Sequence, residues 1–397
     1  MTMRVVIAQP YVPSYRVAFF EALQDRLGEA GVECIVAAGV PRGDQAARGD
    51  SVRPDWLVPV KHKKVSIGGR SIDVSIDPVP WKHTDAVILG LEGSSLPVYQ
   101  ALLAARRASV RVGLWGHVRP YVAPGNSLDL WLERLQMHVA DHVFAYTTGG
   151  RNYALDAGID PGKVTTVMNS LDTSALERSR RNLTLEDVRT FAARFDIDPA
   201  RTLSFIGGLD ESKRVRFLVE VLDDLWSRDK SVRFLVGGAG PQKSLLKSAF
   251  DRGQAVDTGY LDTDGKALVM SASRAVVMPG RIGLVAVDAL VMHRPVITTD
   301  WSYHAPESEY LSEESSRFTS ADDPLSFANK ILRVLEMKPN SDEEANWAFP
   351  TLAQMVENFA EGVHVLLGAS YEGRCGKHVR ASHKDTLEPP IGEKESC

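Results

Sequence analysis

The sequence predicts an α/β protein built from two open, parallel-sheet domains. Three observations lead there. Short Val-, Ile- and Leu-rich runs alternate with longer stretches of helical period, that alternation starts afresh after residue 200, and 397 residues are too many for one ordinary core. Hydrophobic residues make up 44% of the chain and charged residues 24%, the balance of a globular protein able to bury two such cores.

The first strand is "RVVIA", within "MTMRVVIAQP", whose single Arg and short apolar run ending in Pro fit a strand better than a signal peptide. It leads into the helix "SYRVAFFEALQDRLGEAG", where Val17, Phe20, Ala22, Leu23 and Leu27 fall largely on one face. The strand "ECIVAAG" follows. After it, "VPVKHKKVSIGGRSIDVSID" reads as two strands around Gly68 and Gly69. "AVILGL", the helix "LPVYQALLAARRA", "VRVGLW", a helix over 127–140 and "HVFAY" complete a first domain spanning 1–172. Residues 173–200 are charged and contain the helix "LTLEDVRTFAARFDID", read as a connecting segment. In the second domain, 201–345, the strands "TLSFIG", "VRFLVGG", "AVDTGY", "RAVVMP" and "PVITT" alternate with helices starting near Val215, Pro241, Asp264 and Leu284. A further helix occupies 346–369, and the polar 370–397 reads as a disordered tail.

Charge and cysteine content exclude several classes. A formal net charge of −5 argues against nucleic acid as a partner, because that affinity rests on many Lys and Arg contacts to phosphate. Cys34, Cys375 and Cys397 lack the close pairing of a zinc site or a disulfide framework, which fits a reducing cytoplasm. No apolar run reaches the length of a membrane span. The basic stretch "KHKKVSIGGR" with Arg53 reads as a solvated strip or, more sharply, as peripheral attraction to the inner face of an anionic membrane.

Open parallel sheets bind ligands beyond the carboxyl ends of their strands, so the loops there are where chemistry is expected. In the second domain these are "GGLDESKR", "GGAGPQ", "GYLDTDG", "PGRIGL" and "TDWSYHAPESEY". Glycines ahead of helix starts predict a phosphate-bearing ligand. A dinucleotide fingerprint needs a third glycine where Lys243 stands, and no Gly-Lys-Ser/Thr phosphate loop occurs, so NAD-linked and P-loop chemistry are disfavoured.

In ordered series, "FIGGLDESKRVRFLVEVL", "FLVGGAGP" and "DTGYLDTDGKALVMSASRAVVMPGRIGLVAVDALVMHRPVITTD" resemble the GT-B glycosyltransferases of glycosyltransferase family 4, also called glycosyl transferases group 1. "VPSYRVAFFEAL", "GLWGH" and "TTGGRNYALDAGIDPGKVTTVMNSLD" extend the resemblance into the first half. It implies two Rossmann-like domains facing across a cleft, an acceptor side in the first and a donor side in the second, with the C-terminal helix returning to the first domain.

The resemblance also implies roles. Lys213 matches the family's phosphate-binding lysine, while the family's Arg five places earlier is Gly208 here; Arg214, Arg281 or Arg16 are candidate substitutes. Where the family carries Glu, seven residues, Glu, this chain has Gly280 and Asp288. Asp288 retains a carboxylate for ribose hydroxyls, the backbone N–H groups of Gly283 and Leu284 face the distal phosphate, and Gly280, Arg281 and Glu307 fall in the donor-sugar region. His117 matches a family His facing the donor sugar, and Ser14, Tyr15 and Arg16 match the first-domain loop. Lys213 and Asp288 also read blandly as a helix-start lysine and a dipole-stabilised acid, and His117 as a structural strand-end residue. Asp262 and Asp264 read as a turn and helix cap, and neither metal nor resident cofactor is expected.

The expected function is a retaining, metal-independent hexosyltransferase moving sugar from a nucleoside-diphosphate donor to a saccharide, lipid or small-molecule acceptor. The alternative, raised by Gly208 and Gly280, is a non-catalytic nucleotide-sugar binder or assembly partner of the same fold.

Overall fold

The structure, a computed structural model, describes residues 2–41, 50–60, 62–67, 70–75, 83–93, 95–108, 110–121, 127–338 and 347–368. The tail expected over 370–397 lies outside the described residues.

In the first half, strands β1 (Met3–Gln9), β2 (Val32–Ala38), β3 (Val58–Pro59), β6 (Ala86–Gly90), β7 (Arg111–Gly116), β8 (His142–Ala145) and β9 (Val164–Thr166) form one parallel sheet in the order β3-β2-β1-β6-β7-β8-β9. β4 (His62–Ile67) and β5 (Arg70–Ser75) make a separate antiparallel pair, with Ile67 opposite Arg70. Helices α1 (Val17–Glu29), α2 (Leu96–Ala108), α3 (Ser127–Val139) and α4 (Thr148–Asp156) link the strands. The helix starting with α1 is shorter than its sequence pattern, because Ser14–Arg16 forms a separate 3₁₀ turn.

Two helices bridge the halves, α5 (Thr173–Asn182) and α6 (Leu185–Phe195). Thr184 caps α6 in a reciprocal box with Asp187, and Leu176 of α5 is buried in the core of the second half. There, β10 (Thr202–Ile206), β11 (Arg233–Gly237), β12 (Ala255–Gly259), β13 (Ala275–Met278), β14 (Val296–Thr299) and β15 (Arg317–Ser320) pair in parallel in the order β12-β11-β10-β13-β14-β15. The covering helices are α7 (Val215–Arg228), α8 (Lys247–Asp251), α9 (Thr263–Ser271), α10 (Val285–Val291) and α11 (Pro324–Glu336).

The helix expected from Pro241 begins in regular form only at Lys247, after a 3₁₀ turn over Lys243–Leu246. The reason is local. Gln242 N donates to Leu209 O at 2.9 Å, and a Cβ at Gly240 would lie 2.3 Å from the same oxygen, so this loop is spent on packing against 207–209. Gly238 is held likewise, its absent Cβ falling 1.9 Å from Gly207 O. These two glycines therefore allow the close contact of this loop with 207–209.

The last helix, α12 (Leu352–Leu367), packs on the first sheet. Its apolar stripe, Met355, Phe359, Val363 and Leu366, is buried with Phe19, Phe20 and Trp115, and Phe359 stacks on Phe144 with centroids 4.6 Å apart. Gly362 permits that approach, since a Cβ there would sit 2.5 Å from the Phe144 ring. Truncating Phe359 would cost roughly 3–5 kcal/mol by the usual cavity scale. The chain thus returns to its first domain after completing the second. Among the described residues no helix is long and apolar enough to cross a membrane.

In each sheet the strand order reverses at one place, between β1 and β6 and between β10 and β13. Ligand crevices form at such switch points, beyond the carboxyl ends of the strands.

Candidate active site

At the second-domain switch point, the loop after β10 meets the loop after β13. Arg281 N donates to Ser212 O at 2.9 Å, and Lys213 Nζ donates to the carbonyl of Arg281. Lys213 ends a 3₁₀ turn that Asp210 caps by accepting from Ser212 N at 2.9 Å. Gly208 sits at the entry to that turn, with the Asp210 carboxylate occupying the space a side chain would need, 3.1 Å from an ideal Cβ.

Gly280 is glycine for a steric reason that sequence spacing does not reveal. A Cβ at this position would lie 2.6 Å from Lys213 C and 2.7 Å from Ser212 O, both backbone atoms. The acid that the family resemblance places here has no room. Gly283 is the opposite case: a Cβ there meets no heavy atom within 4 Å. Open space therefore lies over the start of α10, where Leu284 is the N-cap residue.

Asp288, on α10, is 4% exposed, and Lys266 of α9 donates to its Oδ2 at 3.0 Å. Its Oδ1 is buried with no hydrogen-bond partner among the described residues. The carboxylate raises the pKa of Lys266, outweighing the opposing effect of burial. Lys266 was not singled out by sequence; a Lys in mid-helix carries no signal until the fold brings it to Asp288.

Arg214 does not face this space. Its Nη1 donates to Pro279 O at 3.1 Å and pairs with Asp322, and its guanidinium stacks 4.3 Å over Phe217, so it ties loop bases together. Arg16 is similarly committed. It is 5% exposed, lies 5.0 Å over the Trp115 ring, and donates to Asn169 Oδ1 at 2.6 Å. Ser14 N donates to Asp50 O at 2.7 Å, and Tyr15 is 44% exposed.

Across the cleft, His117 at the end of β7 packs edge-on against Tyr146 at 5.0 Å. Burial, then the positive charges of Arg281 and Arg16, push its pKa down to about 4. His117 is therefore neutral at ordinary pH, and Arg281 is the second-domain arginine whose field reaches it. The structure brings His117, Arg16, Arg281 and Lys213 to one cleft.

The segment 306–310 joins the two sides. Asn169 Nδ2 donates to Glu307 Oε1, extending a buried chain from Arg16 through Asn169 to Glu307. Burial raises the Glu307 pKa against the stabilising pull of its own backbone N–H, Asn169, Arg16 and Lys213. Glu309 accepts from Tyr121 Oη and, at 2.9 Å, from Gly149 N at the start of α4. Tyr310 Oη donates to Asn169 O at 3.1 Å. His304 ties this segment to the donor-side loop, accepting from Ile282 N at 3.4 Å on Nδ1. Asn169, Tyr121, Glu309 and Tyr310 were missed because their meeting is long-range.

Asp262 caps α9 by accepting from Gly265 N at 2.8 Å, and Asp264 accepts from Ser179 Oγ, which accounts for both acids of "LDTDG". Among the described residues no group of three or more His, Cys, Asp or Glu side chains is placed to hold a metal ion.

Two Rossmann-like parallel-sheet domains with their switch-point loops facing one cleft define the GT-B architecture. Within it, residues 200–337 match the family described as glycosyl transferases group 1, so the second domain carries that family's signature. An α-D-kanosaminyltransferase of Streptomyces kanamyceticus is 24% identical over 114 residues, a match covering 27% of this chain and 30% of that protein. The chain thus matches less than a third of that relative's length. Among solved structures, a glycosyltransferase from Rickettsia africae is similar with a TM-score of 0.63 at 15% identity, over 93% of this chain and 100% of that one. A putative UDP-N-acetylglucosamine 2-epimerase from Listeria monocytogenes is similar with a TM-score of 0.57 at 14% identity, over 92% and 96% of the two chains. At such identities the likeness is one of fold, and this fold also houses a protein described as an epimerase.

Proposed function

We propose that this protein is a retaining, metal-independent glycosyltransferase that moves a hexose from a nucleoside-diphosphate sugar to a saccharide, lipid or small-molecule acceptor. The observation that carries the reading is the second-domain switch point: open space at Gly283 ahead of the helix that carries the buried, half-satisfied carboxylate of Asp288, in a loop that Lys213 bonds at Arg281, in a domain matching glycosyl transferases group 1. The diphosphate lies over the start of α10, where backbone N–H groups and the helix dipole favour negative charge. Lys213 offsets the charge that grows on the leaving phosphate. Ribose hydroxyls donate to Asp288 Oδ1, filling its vacant acceptor.

In the transfer step the bond from the anomeric carbon to the distal phosphate oxygen breaks while the acceptor oxygen bonds to that carbon on the same face. The acceptor proton passes to the departing phosphate oxygen, so products are a nucleoside diphosphate and a glycoside. Neutral His117 contributes a hydrogen-bonding edge beside the sugar rather than a positive charge. Because Gly280 has no room for an acid, sugar hydroxyls on that side meet main chain, Arg281 and the Glu307 carboxylate instead.

The alternative is a nucleotide-sugar binder without turnover, favoured by the missing side chains at Gly208 and Gly280. Incubation with UDP-, GDP- and dTDP-hexoses, with and without an acceptor panel, separates the two. Release of nucleoside diphosphate that is lost in Lys213→Ala and Asp288→Ala supports transfer; tight binding with no release supports the binder.

A further inference from the structure

Asp288 and Lys266 meet at the end of the second sheet where ligands enter. Each is the fourth residue of its helix, Asp288 in α10 and Lys266 in α9, and these helices follow the carboxyl ends of β13 and β12. Their exposure is unequal. The Asp288 side chain is 5% exposed and the Lys266 side chain 31%, so the lysine is the member of the pair that meets solvent.

An ionised carboxylate with both oxygens open can accept from two neighbouring hydroxyls at once, one on each oxygen. Asp288 does not have both open. Lys266 Nζ donates to Oδ2 at 3.0 Å, and Oδ1 is the oxygen left without a partner among the described residues. An ammonium has donors only, so a second hydroxyl arriving on the Lys266 side finds no acceptor for its proton. Asp288 raises the pKa of Lys266 against the opposing effect of burial, which keeps the lysine charged and bound to Oδ2 through the neutral range.

We propose that Lys266 is a specificity-determining residue for the nucleotide: by holding Oδ2 it limits Asp288 to one ribose hydroxyl. A nucleoside diphosphate is then distinguished at one of its two ribose hydroxyls, and loss of the other is tolerated. The assignment rests on the donor site proposed above.

The test is isothermal titration calorimetry of the full chain with uridine and guanosine diphosphates and with the 2′-deoxy and 3′-deoxy counterparts of each. For the base that binds, one deoxy counterpart is expected within about twofold of the parent affinity. The other should bind at least tenfold more weakly, the size of a lost hydrogen bond to a charged acceptor. Lys266→Met keeps an unbranched apolar stem and frees Oδ2, so the tolerated counterpart should there become at least fivefold weaker than the parent. Lys266→Arg retains a cation and should keep the wild-type pattern. Thermal unfolding checks that both variants are folded, and the wild-type comparison needs neither of them. Both counterparts tenfold weaker in the wild type, or neither weaker, overturns the proposal while leaving nucleotide binding in place, as does an unchanged ratio in folded Lys266→Met. Failure of both parent diphosphates to bind removes the donor site itself, and this assignment with it.

Discussion

Lys266 donates at 3.0 Å to one carboxylate oxygen of Asp288, while the other oxygen is buried with no hydrogen-bond partner among the described residues. A buried acceptor left unmade is costly, and an incoming hydroxyl removes that cost. The pair holds α9 against α10, and under the proposed function its unfilled oxygen is the acceptor for the donor ribose.

Asp288→Ala should destabilise the fold by about 2 kcal/mol, less than the full cost of breaking a wholly buried pair because the Lys266 side chain is 31% exposed. Urea unfolding measures this, and Lys266→Ala in the same background should add little further loss. The pH sense follows from the raised lysine pKa. The pair's stabilisation is complete below the unfolded lysine value of about 10.4 and fades as pH climbs through the higher folded value.

Restoring the family's acid at Gly280 should fail. Gly280→Ala already pushes a Cβ into the Lys213 backbone, and overpacking of this kind costs roughly 1–3 kcal/mol. Gly280→Glu should lower the melting temperature and weaken donor binding rather than improve it, as calorimetry would show; a gain in donor affinity would mean that the loop moves aside readily.

His117 should titrate near pH 4 by NMR, and Arg281→Gln should raise that midpoint by removing a nearby positive charge. Since its folded pKa is below the unfolded value of about 6.5, its contribution to stability is full above that value and is lost as pH falls through the window down to about 4. Activity controlled by this residue should accordingly be flat from pH 6 upward.

Glu309→Gln and Asn169→Ala should loosen the cleft. Each removes a contact between the 306–310 segment and the first domain. Small-angle scattering without donor should show a larger radius of gyration for both, and the acceptor KM should rise more than the donor KM.

The two-domain architecture was legible because both sheets obey a simple rule: buried parallel strands read as unbroken apolar runs, and helices as amphipathic stripes. The resemblance singled out Lys213, Asp288 and Gly283, and the strand order puts the loops that carry Lys213 and Gly283 side by side at one switch point. Local sequence could not report the steric filling at Gly280, which depends on a backbone 67 residues earlier in the chain. Nor could it pair Asp288 with Lys266, or Glu307 with Asn169, since neither contact has a periodic signature. The glycines of "GGAGPQ" have a packing role that composition did not show, since they bring one loop onto the backbone of another.

The cleft beside Gly283 is proposed to take a nucleoside-diphosphate sugar. Isothermal titration calorimetry of the wild-type chain with UDP-, GDP- and dTDP-hexoses tests it most directly, with Lys213→Ala and Asp288→Ala alongside. One-to-one binding of at least one donor is expected, weakened tenfold or more in each variant. No heat of binding for any of the three donors at millimolar concentration, or equal affinity in the wild type and both variants, would contradict it.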